Sequence, residues 1–168
     1  MTKNDIFRRI RFIFNFDDTT MMTIFGLVDC TVTRAQVSDW LKQHDNPAFQ
    51  ELNDSQLADF LNGLIVKNRG KKEGALPEVE TQLSHNMVLR KLKIALDFKD
   101  NDILAALSLA KFALSKHELS ALFRRPDHKN YRECQTQLLR SFLKGLQLKY
   151  RTDLPGGGAE PQDDGAVI

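Results

Sequence analysis

Cysteine, tryptophan and tyrosine are scarce in this chain of 168 residues, which has two, one and two of them respectively. The two cysteines, Cys30 and Cys134, are too few for the disulfide framework that stabilises many small secreted proteins. No apolar run approaches the roughly 20 residues that a membrane-spanning helix needs. Arginines interrupt the apolar N-terminal stretch, which is unlike a secretory signal. We therefore expect a cytoplasmic protein with reduced thiols.

The motifs of metal and phosphate chemistry are also missing. The four histidines do not have the H-x-x-x-H or H-E-x-x-H spacing of zinc sites, and there is no C-x-x-C pair. No glycine-rich loop joins a strand pattern to a helix pattern, as a phosphate-binding loop requires. The sequence therefore predicts no catalytic residues, no metal and no cofactor. It favours a non-enzymatic protein, and an unrecognised enzyme is the less favoured alternative.

Phenylalanine is plentiful, with 11 residues, and hydrophobic residues make up 42% of the chain. Charged residues make up 27%, so the composition is that of a soluble globular protein that can bury a core. Because apolar side chains recur every three or four residues and no strand pattern is present, the sequence predicts an all-α fold.

The second half of the chain repeats the first. Residues 4–69 align with residues 86–151 at an offset of 82 positions without a gap, and 15 of the 66 aligned pairs are identical. Self-similarity of this length indicates two tandem copies of one structural unit. The agreement is strongest near the end of each copy, where Leu57, Phe60, Leu61, Gly63 and Leu64 align with Leu139, Phe142, Leu143, Gly145 and Leu146.

Each copy contains four predicted helices, and the last has the clearest apolar stripe. Phe60 and its counterpart Phe142 belong to this stripe and should face the core. Gly63 and Gly145 lie inside the same helix, where glycine costs about 1 kcal/mol relative to alanine. Because both copies keep the glycine, we expect another helix to approach closely there, which is a packing role rather than a ligand contact.

Capping residues mark the starts of the other helices. The third helix of each copy opens with a capping box, which begins at Thr33 in the first copy and at Ser115 in the second. The second helix begins near Asp18 or Asp100, whose carboxylates are predicted to accept the free amide hydrogens of the first turn. The predicted helices therefore begin at matching positions in the two copies.

These patterns divide the chain into four segments. Residues 1–70 form the first helical unit, residues 71–84 a linker, and residues 85–151 the second unit. Residues 152–168 hold proline, glycine and acidic side chains with little to bury, so we predict a disordered acidic tail.

Two matching segments, DSQLADFLNGLI and TQLLRSFLKGLQ, are accompanied by a third, SKHELSALFRRPDHKNYREC. With these motifs the chain resembles the bacterial YehS-like family across residues 1–151. The resemblance implies a cytosolic protein of unknown function built from a duplicated helical domain. It carries over no catalytic or binding residues.

The net charge of +2 hides an uneven distribution. Residues 1–75 carry 10 basic and 10 acidic side chains, residues 76–151 carry 14 and 8, and residues 152–168 carry none and 4. A solvated polar face is the first interpretation of these basic side chains, and an anion-binding surface is the functional alternative. The candidate contacts with an anion or nucleic acid are Arg90, Lys93, Lys116, Arg124 and Arg125.

The second and third helices of each copy also have the length of a helix-turn-helix. The candidate recognition helix would span residues 33–43 in the first copy or residues 115–125 in the second. Helical pairs with this spacing are common in proteins that never contact DNA, so the pattern has little specificity.

Two functions are therefore open. The favoured hypothesis is a binding or regulatory protein that acts on another protein through a groove between helices, a use that suits duplicated helical folds. The alternative hypothesis is DNA or RNA binding through the basic second unit. The sequence leaves the oligomeric state and the identity of the partner open.

Overall fold

The computed structural model describes residues 1–71 and 80–158, which form eight α-helices and one short 3-10 helix without any β-strand. No helix in this part of the chain has the length and apolarity to cross a membrane. The predicted all-α fold is confirmed. The first unit contains α1 (Lys3–Ile13), α2 (Asp18–Gly26), α3 (Arg34–Leu41) and α4 (Asp54–Arg69). The second unit contains α5 (His85–Ala95), α6 (Asp100–Leu109), α7 (Lys116–Leu122), α8 (Thr136–Tyr150) and the 3-10 helix (Pro155–Gly157).

The core of the first unit is a cluster of aromatic rings. The Phe7 and Phe60 ring centroids are 4.8 Å apart in an edge-to-face arrangement, and those of Phe25 and Trp40 are 5.6 Å apart. All four side chains are buried. In the second unit only Phe142 keeps a ring, and the other aligned positions hold the buried residues Leu89, Leu107 and Leu122. The two cores therefore use the same four positions, which are aromatic in the first unit and mostly leucine in the second.

The conserved glycine brings two helices into backbone contact in each unit. A Cβ added at Gly63 would lie 2.1 Å from the carbonyl oxygen of Ile24 on α2. A Cβ at Gly145 would lie 1.9 Å from the carbonyl oxygen of Ala106 on α6. Since neither position has room for a methyl group, the predicted packing role of these glycines is confirmed.

A buried asparagine joins the first helix of each unit to two distant segments. The Asn4 side-chain amide donates to the carbonyl oxygens of Trp40 and Gln50, both at 2.9 Å, and the Leu52 amide donates to Asn4 Oδ1 at 3.0 Å. Asn86 makes the three equivalent bonds with Leu122, Arg132 and Cys134, at 2.9, 2.8 and 2.8 Å. These bonds fix the loop that precedes the last helix, because its backbone groups would otherwise be buried without partners.

The predicted capping boxes are present at Thr33 and at Ser115. The prediction that Asp18 and Asp100 cap the second helices is wrong by one residue. The Asp17 carboxylate accepts the Thr20 amide hydrogen at 2.7 Å, so Asp18 lies inside the helix.

The second unit uses the reciprocal bond at this turn, in which the third helical residue accepts the amide hydrogen of the N-cap residue. Its N-cap residue is Lys99, which has no side-chain acceptor, and the Lys99 backbone amide donates to the Asp102 carboxylate at 2.7 Å. Asp100 therefore makes no N-cap and instead lies at the first helical position of α6.

The chain beyond α8 departs from the predicted tail. The Gln147 side-chain amide is buried and donates to the carbonyl oxygens of Gly157 and Gly158 at 3.0 and 3.2 Å. The prediction of disorder is therefore wrong for residues 152–158, because glycines with positive φ let the chain turn back onto α8. The rest of that tail, and residues 72–79 of the predicted linker, lie outside the described residues.

Candidate anion-binding cleft in the second unit

An open cleft of about 400 Å³ lies where the start of α6 faces the end of α5 and the start of α7. Three of its six lining residues are lysines, and only one is acidic. The lining residues are Lys93, Phe98, Lys99, Asp100, Asn101 and Lys116. A concave surface with this charge attracts an anion.

Two of the cations at this face are held by contacts with their own unit. The Lys93 ammonium lies 3.1 Å from Asp100 Oδ1 and 4.6 Å from the centroid of the Phe123 ring. Arg90, which precedes Lys93 by three residues on α5, donates to the Phe123 carbonyl oxygen at 2.5 Å. Its guanidinium also lies 6.0 Å from the centroid of the Phe123 ring. The ring therefore fixes Arg90 beside the cleft and Lys93 at its edge.

The other two cations differ from these. The side chains of Lys99 and Lys116 are exposed, and neither ammonium group forms an ion pair within the described part of the chain. Within residues 1–71 and 80–158 no carboxylate pairs with either charge. Such groups can bind an incoming anion without first breaking an internal contact.

The structure brings together only part of the predicted contact set. Lys93 and Lys116 line the cleft, and Arg90 lies beside it. Arg124 instead faces His128 at 3.5 Å, and Arg125 pairs with Asp127 at 3.5 Å. The prediction that these two arginines join the same surface is not supported by the lining of the cleft.

The recognition helix predicted over residues 115–125 is also too long. Helix α7 ends at Leu122, and the cap residue Phe123 has left helical geometry. Pro126 also opposes a helix through Arg125, because proline disfavours the helical conformation for the residue before it. Arg124 and Arg125 therefore lie beyond the end of α7, and the predicted recognition helix was wrong to include them.

Sequence reasoning missed Lys99. The counterpart of Lys99 in the first copy is Asp17. A reversal of charge between aligned copies was the signal that could have identified it.

The same region of the first unit is neutralised by its own carboxylates. Asp18 lies between the guanidinium groups of Arg11, at 3.5 Å, and Arg34, at 3.7 Å. The Thr20 backbone and side chain donate to Asp17 and lower the pKa of its carboxyl, and the charges of Arg34 and Arg11 act in the same direction. Arg11 and Arg34 therefore face the carboxylates of two adjacent aspartates.

The matching of known families gives the cleft a context. A family model described as "Protein of unknown function (DUF1456)" matches residues 3–70 and again residues 85–152. The chain belongs to this family. The two DUF1456 matches coincide with the two helical units, and the cleft lies within the second match. The predicted resemblance to a YehS-like family is thereby confirmed.

Among relatives of this DUF1456 chain is the "Uncharacterized protein YehS" of Escherichia coli (strain K12). It is 44% identical over 147 residues, which cover 87% of this chain and 94% of the relative. No solved structure matches the chain.

The two cysteines lie away from the cleft. Burial raises the pKa of the Cys134 thiol to about 12, so the nucleophilic thiolate is rare at neutral pH. Cys30 is half-buried, and burial together with the Asp59 carboxylate raises the pKa of its thiol. Neither thiol has the electropositive surroundings that activate a cysteine.

Proposed function

We propose that the second unit binds nucleic acid through the basic cleft and the adjacent Arg90. The observation that carries this proposal is that three lysines, Lys93, Lys99 and Lys116, share one cleft with a single carboxylate, that of Asp100. Arg90 is held beside this cleft by its bond to the Phe123 carbonyl oxygen. Lys99 and Lys116, which form no ion pair among the described residues, supply the contacts with backbone phosphates. Such contacts release condensed counterions, which makes binding favourable and dependent on salt.

Aromatic side chains at the same face support a nucleic acid over a simple inorganic anion. Phe98 lines the cleft, and Phe123 lies beneath Arg90 and Lys93. Basic grooves that bind nucleic acids combine cations with aromatic rings, because each nucleotide presents a phosphate and an apolar base. We also propose that the protein is cytoplasmic and non-enzymatic, since both cysteines are free and both thiols are held protonated.

Fluorescence anisotropy with labelled DNA and RNA, titrated in salt, tests the proposal. We expect log-linear weakening with salt, as phosphate contacts require. Lys116→Glu should weaken binding about tenfold and reduce the salt slope by roughly one contact. Lys129→Glu makes the same charge change at an exposed position outside the cleft lining and should have a much smaller effect. Absence of binding at low salt, or equal losses in both variants, would refute the proposal.

A protein partner is the second candidate function. The exposed large hydrophobic side chains of the described residues are Ile94, Leu109 and Tyr150, and all three belong to the second unit. Exposed apolar residues of this kind mark protein contacts when they form a patch. Chemical crosslinking in the native cells should then give an adduct that Leu109→Glu removes, while Lys129→Glu leaves it unchanged. An adduct insensitive to Leu109→Glu would remove this candidate.

A further inference from the structure

The cleft of the second unit and its counterpart in the first unit differ at one decisive position. The aligned residues are Arg11, Asp17, Asp18 and Arg34 in the first unit, and Lys93, Lys99, Asp100 and Lys116 in the second. In the first unit a single carboxylate, that of Asp18, lies within 3.7 Å of both arginines. In the second unit the Asp100 carboxylate pairs with Lys93 alone, at 3.1 Å.

A second charge difference adds to the first. Arg8 of the first unit pairs with the buried carboxylate of Asp5 at 3.1 Å. The counterpart of Asp5 in the second unit is Met87, which leaves Arg90 exposed and without a neighbouring acid in the described residues. In the first unit each of these arginines thus pairs with a carboxylate. In the second unit only Lys93 does so, and Arg90 and Lys116 are exposed without an ion pair in the described residues.

We propose that a single strand of nucleic acid is the ligand of the cleft, and that one of its phosphates binds between Lys99 and Lys116. This inference rests on the proposed function and makes it specific. The phosphate neutralises the cations of the second unit, as the carboxylates of Asp17 and Asp18 neutralise those of the first. Only the second unit therefore carries a binding site, and Lys99 is the residue that determines this difference.

The size and shape of the cleft favour a single strand over a duplex. The cleft is open to solvent, and its volume of about 400 Å³ lies within the range of small-ligand sites. In a duplex the bases are stacked inside and cannot approach Phe98, whereas the bases of a single strand are free to contact an aromatic side chain. Reading a duplex requires an element that enters the major groove, and α7 has only 7 residues, among them the exposed acid Glu118.

The capping arrangement allows the two sites to be exchanged cleanly. The acid that caps the second helix is Asp17, opposite Thr20, in the first unit. It is Asp102, opposite Lys99, in the second unit. Replacing both residues of one unit by those of the other transfers or removes the lysine, and each unit still has one carboxylate at the start of its second helix.

Two paired variants therefore test the inference. Lys99→Asp/Asp102→Thr gives the second unit the sequence of the first at these positions, and it should weaken binding at least about tenfold. Asp17→Lys/Thr20→Asp does the reverse, and it should raise the stoichiometry from one strand to two per chain. The probe is a labelled oligothymidylate of about eight nucleotides, compared with a hairpin duplex carrying the same label.

Controls separate site effects from net charge and folding. Lys129→Gln changes the net charge by the same amount as the first paired variant, and Asp45→Asn by the same amount as the second, both at exposed positions. Neither control should change affinity more than about twofold or change the stoichiometry. Circular dichroism verifies that every variant keeps its helices.

The outcomes distinguish this inference from the proposed function. If the wild-type chain binds neither probe, the proposed function fails. If it binds the oligothymidylate but Lys99→Asp/Asp102→Thr has no effect, the proposed function stands and the site assignment is overturned. Preference for the hairpin, or an unchanged stoichiometry in a folded Asp17→Lys/Thr20→Asp variant, also overturns the inference. Loss in one paired variant and gain in the other supports it.

Discussion

Asp17 of the first unit and Lys99 of the second stand at the same point, one residue before their second helices. Around Asp17 the charges cancel within the unit, whereas around Lys99 they do not. The backbone at this point is nevertheless extended in both units. Asp17 accepts the amide hydrogen of Thr20 in the first unit, and Asp102 accepts that of Lys99 in the second. The comparison shows that duplication preserved the hydrogen-bond framework of the unit and allowed its surface charge to diverge.

The preserved framework includes backbone conformations that most residues avoid. Asn15 and its counterpart Asp97 have φ values of 53° and 54°, and Asp29 and its counterpart Lys111 both have 59°. Side chains are costly in this left-handed region, less so for Asn and Asp than for Lys. The turns after the first and second helices have therefore been kept through changes of sequence.

The largest expected effect concerns the feature that the units share most closely. Gly63→Ala and Gly145→Ala should each destabilise the chain by about 3 kcal/mol or more, because the new methyl group meets a helix backbone that cannot move aside. Urea unfolding followed by circular dichroism measures the loss. Similar losses at the two positions would show that both units depend on the same contact.

Gly26→Ala is the matched control for this pair. Gly26 ends α2, and a Cβ there meets nothing within 4 Å. Alanine should then be neutral or stabilise the helix by up to about 1 kcal/mol. Alanine tolerated equally at positions 26, 63 and 145 would contradict the close approach of the helices.

An intermediate effect is expected where the cores differ. Trp40→Leu gives the first unit the residue of the second, removes ring contacts with Phe7 and Phe25, and should cost about 2 kcal/mol. The reverse change, Leu122→Trp, forces a larger side chain into a packed site and should also cost about 2 kcal/mol. Thermal unfolding of both variants measures the losses. A gain from Leu122→Trp would mean that the second core has unfilled space.

The smallest expected effect concerns the left-handed turns. Lys111→Gly should stabilise the chain by about 1 kcal/mol, because glycine adopts a φ of 59° without a steric penalty. Asp29→Gly should gain less, since aspartate tolerates this conformation better than lysine. Lys111→Ala, which removes the long side chain but keeps its Cβ, should bring no gain in urea unfolding. Equal gains from alanine and glycine would mean that the lysine charge, and not the left-handed backbone, lowers the stability.

The fold was accessible from the sequence because its determinants are local and occur twice. The apolar stripe that contains Phe60 and Phe142, the glycines beside it and the capping boxes at Thr33 and Ser115 all depend on spacing along one helix. Comparison of the copies then separated structural positions from variable ones.

The cleft was less accessible because its residues come together only in three dimensions. Lys93 and Lys116 were among the predicted contacts, but Lys99 differs in charge between the copies and was missed. Arg124 and Arg125 share the charge of this group, yet the early end of α7 directs them to other partners. The one-residue error at Asp18 has a similar cause, since Asp17 and Asp18 are chemically identical and only the backbone conformation decides which one caps.

The hydrogen bonds of Asn4 and Asn86 also limit when each unit can fold during synthesis. The amide that donates to each asparagine side chain, that of Leu52 or Cys134, is synthesised 48 residues later. A ribosome adding about 5–20 residues per second needs roughly 2–10 s to supply that partner. During this interval the first helix of the unit cannot complete its contacts. The three hydrogen bonds of each asparagine are therefore complete only after the loop before the last helix has been synthesised, because a loop amide is the last of its partners.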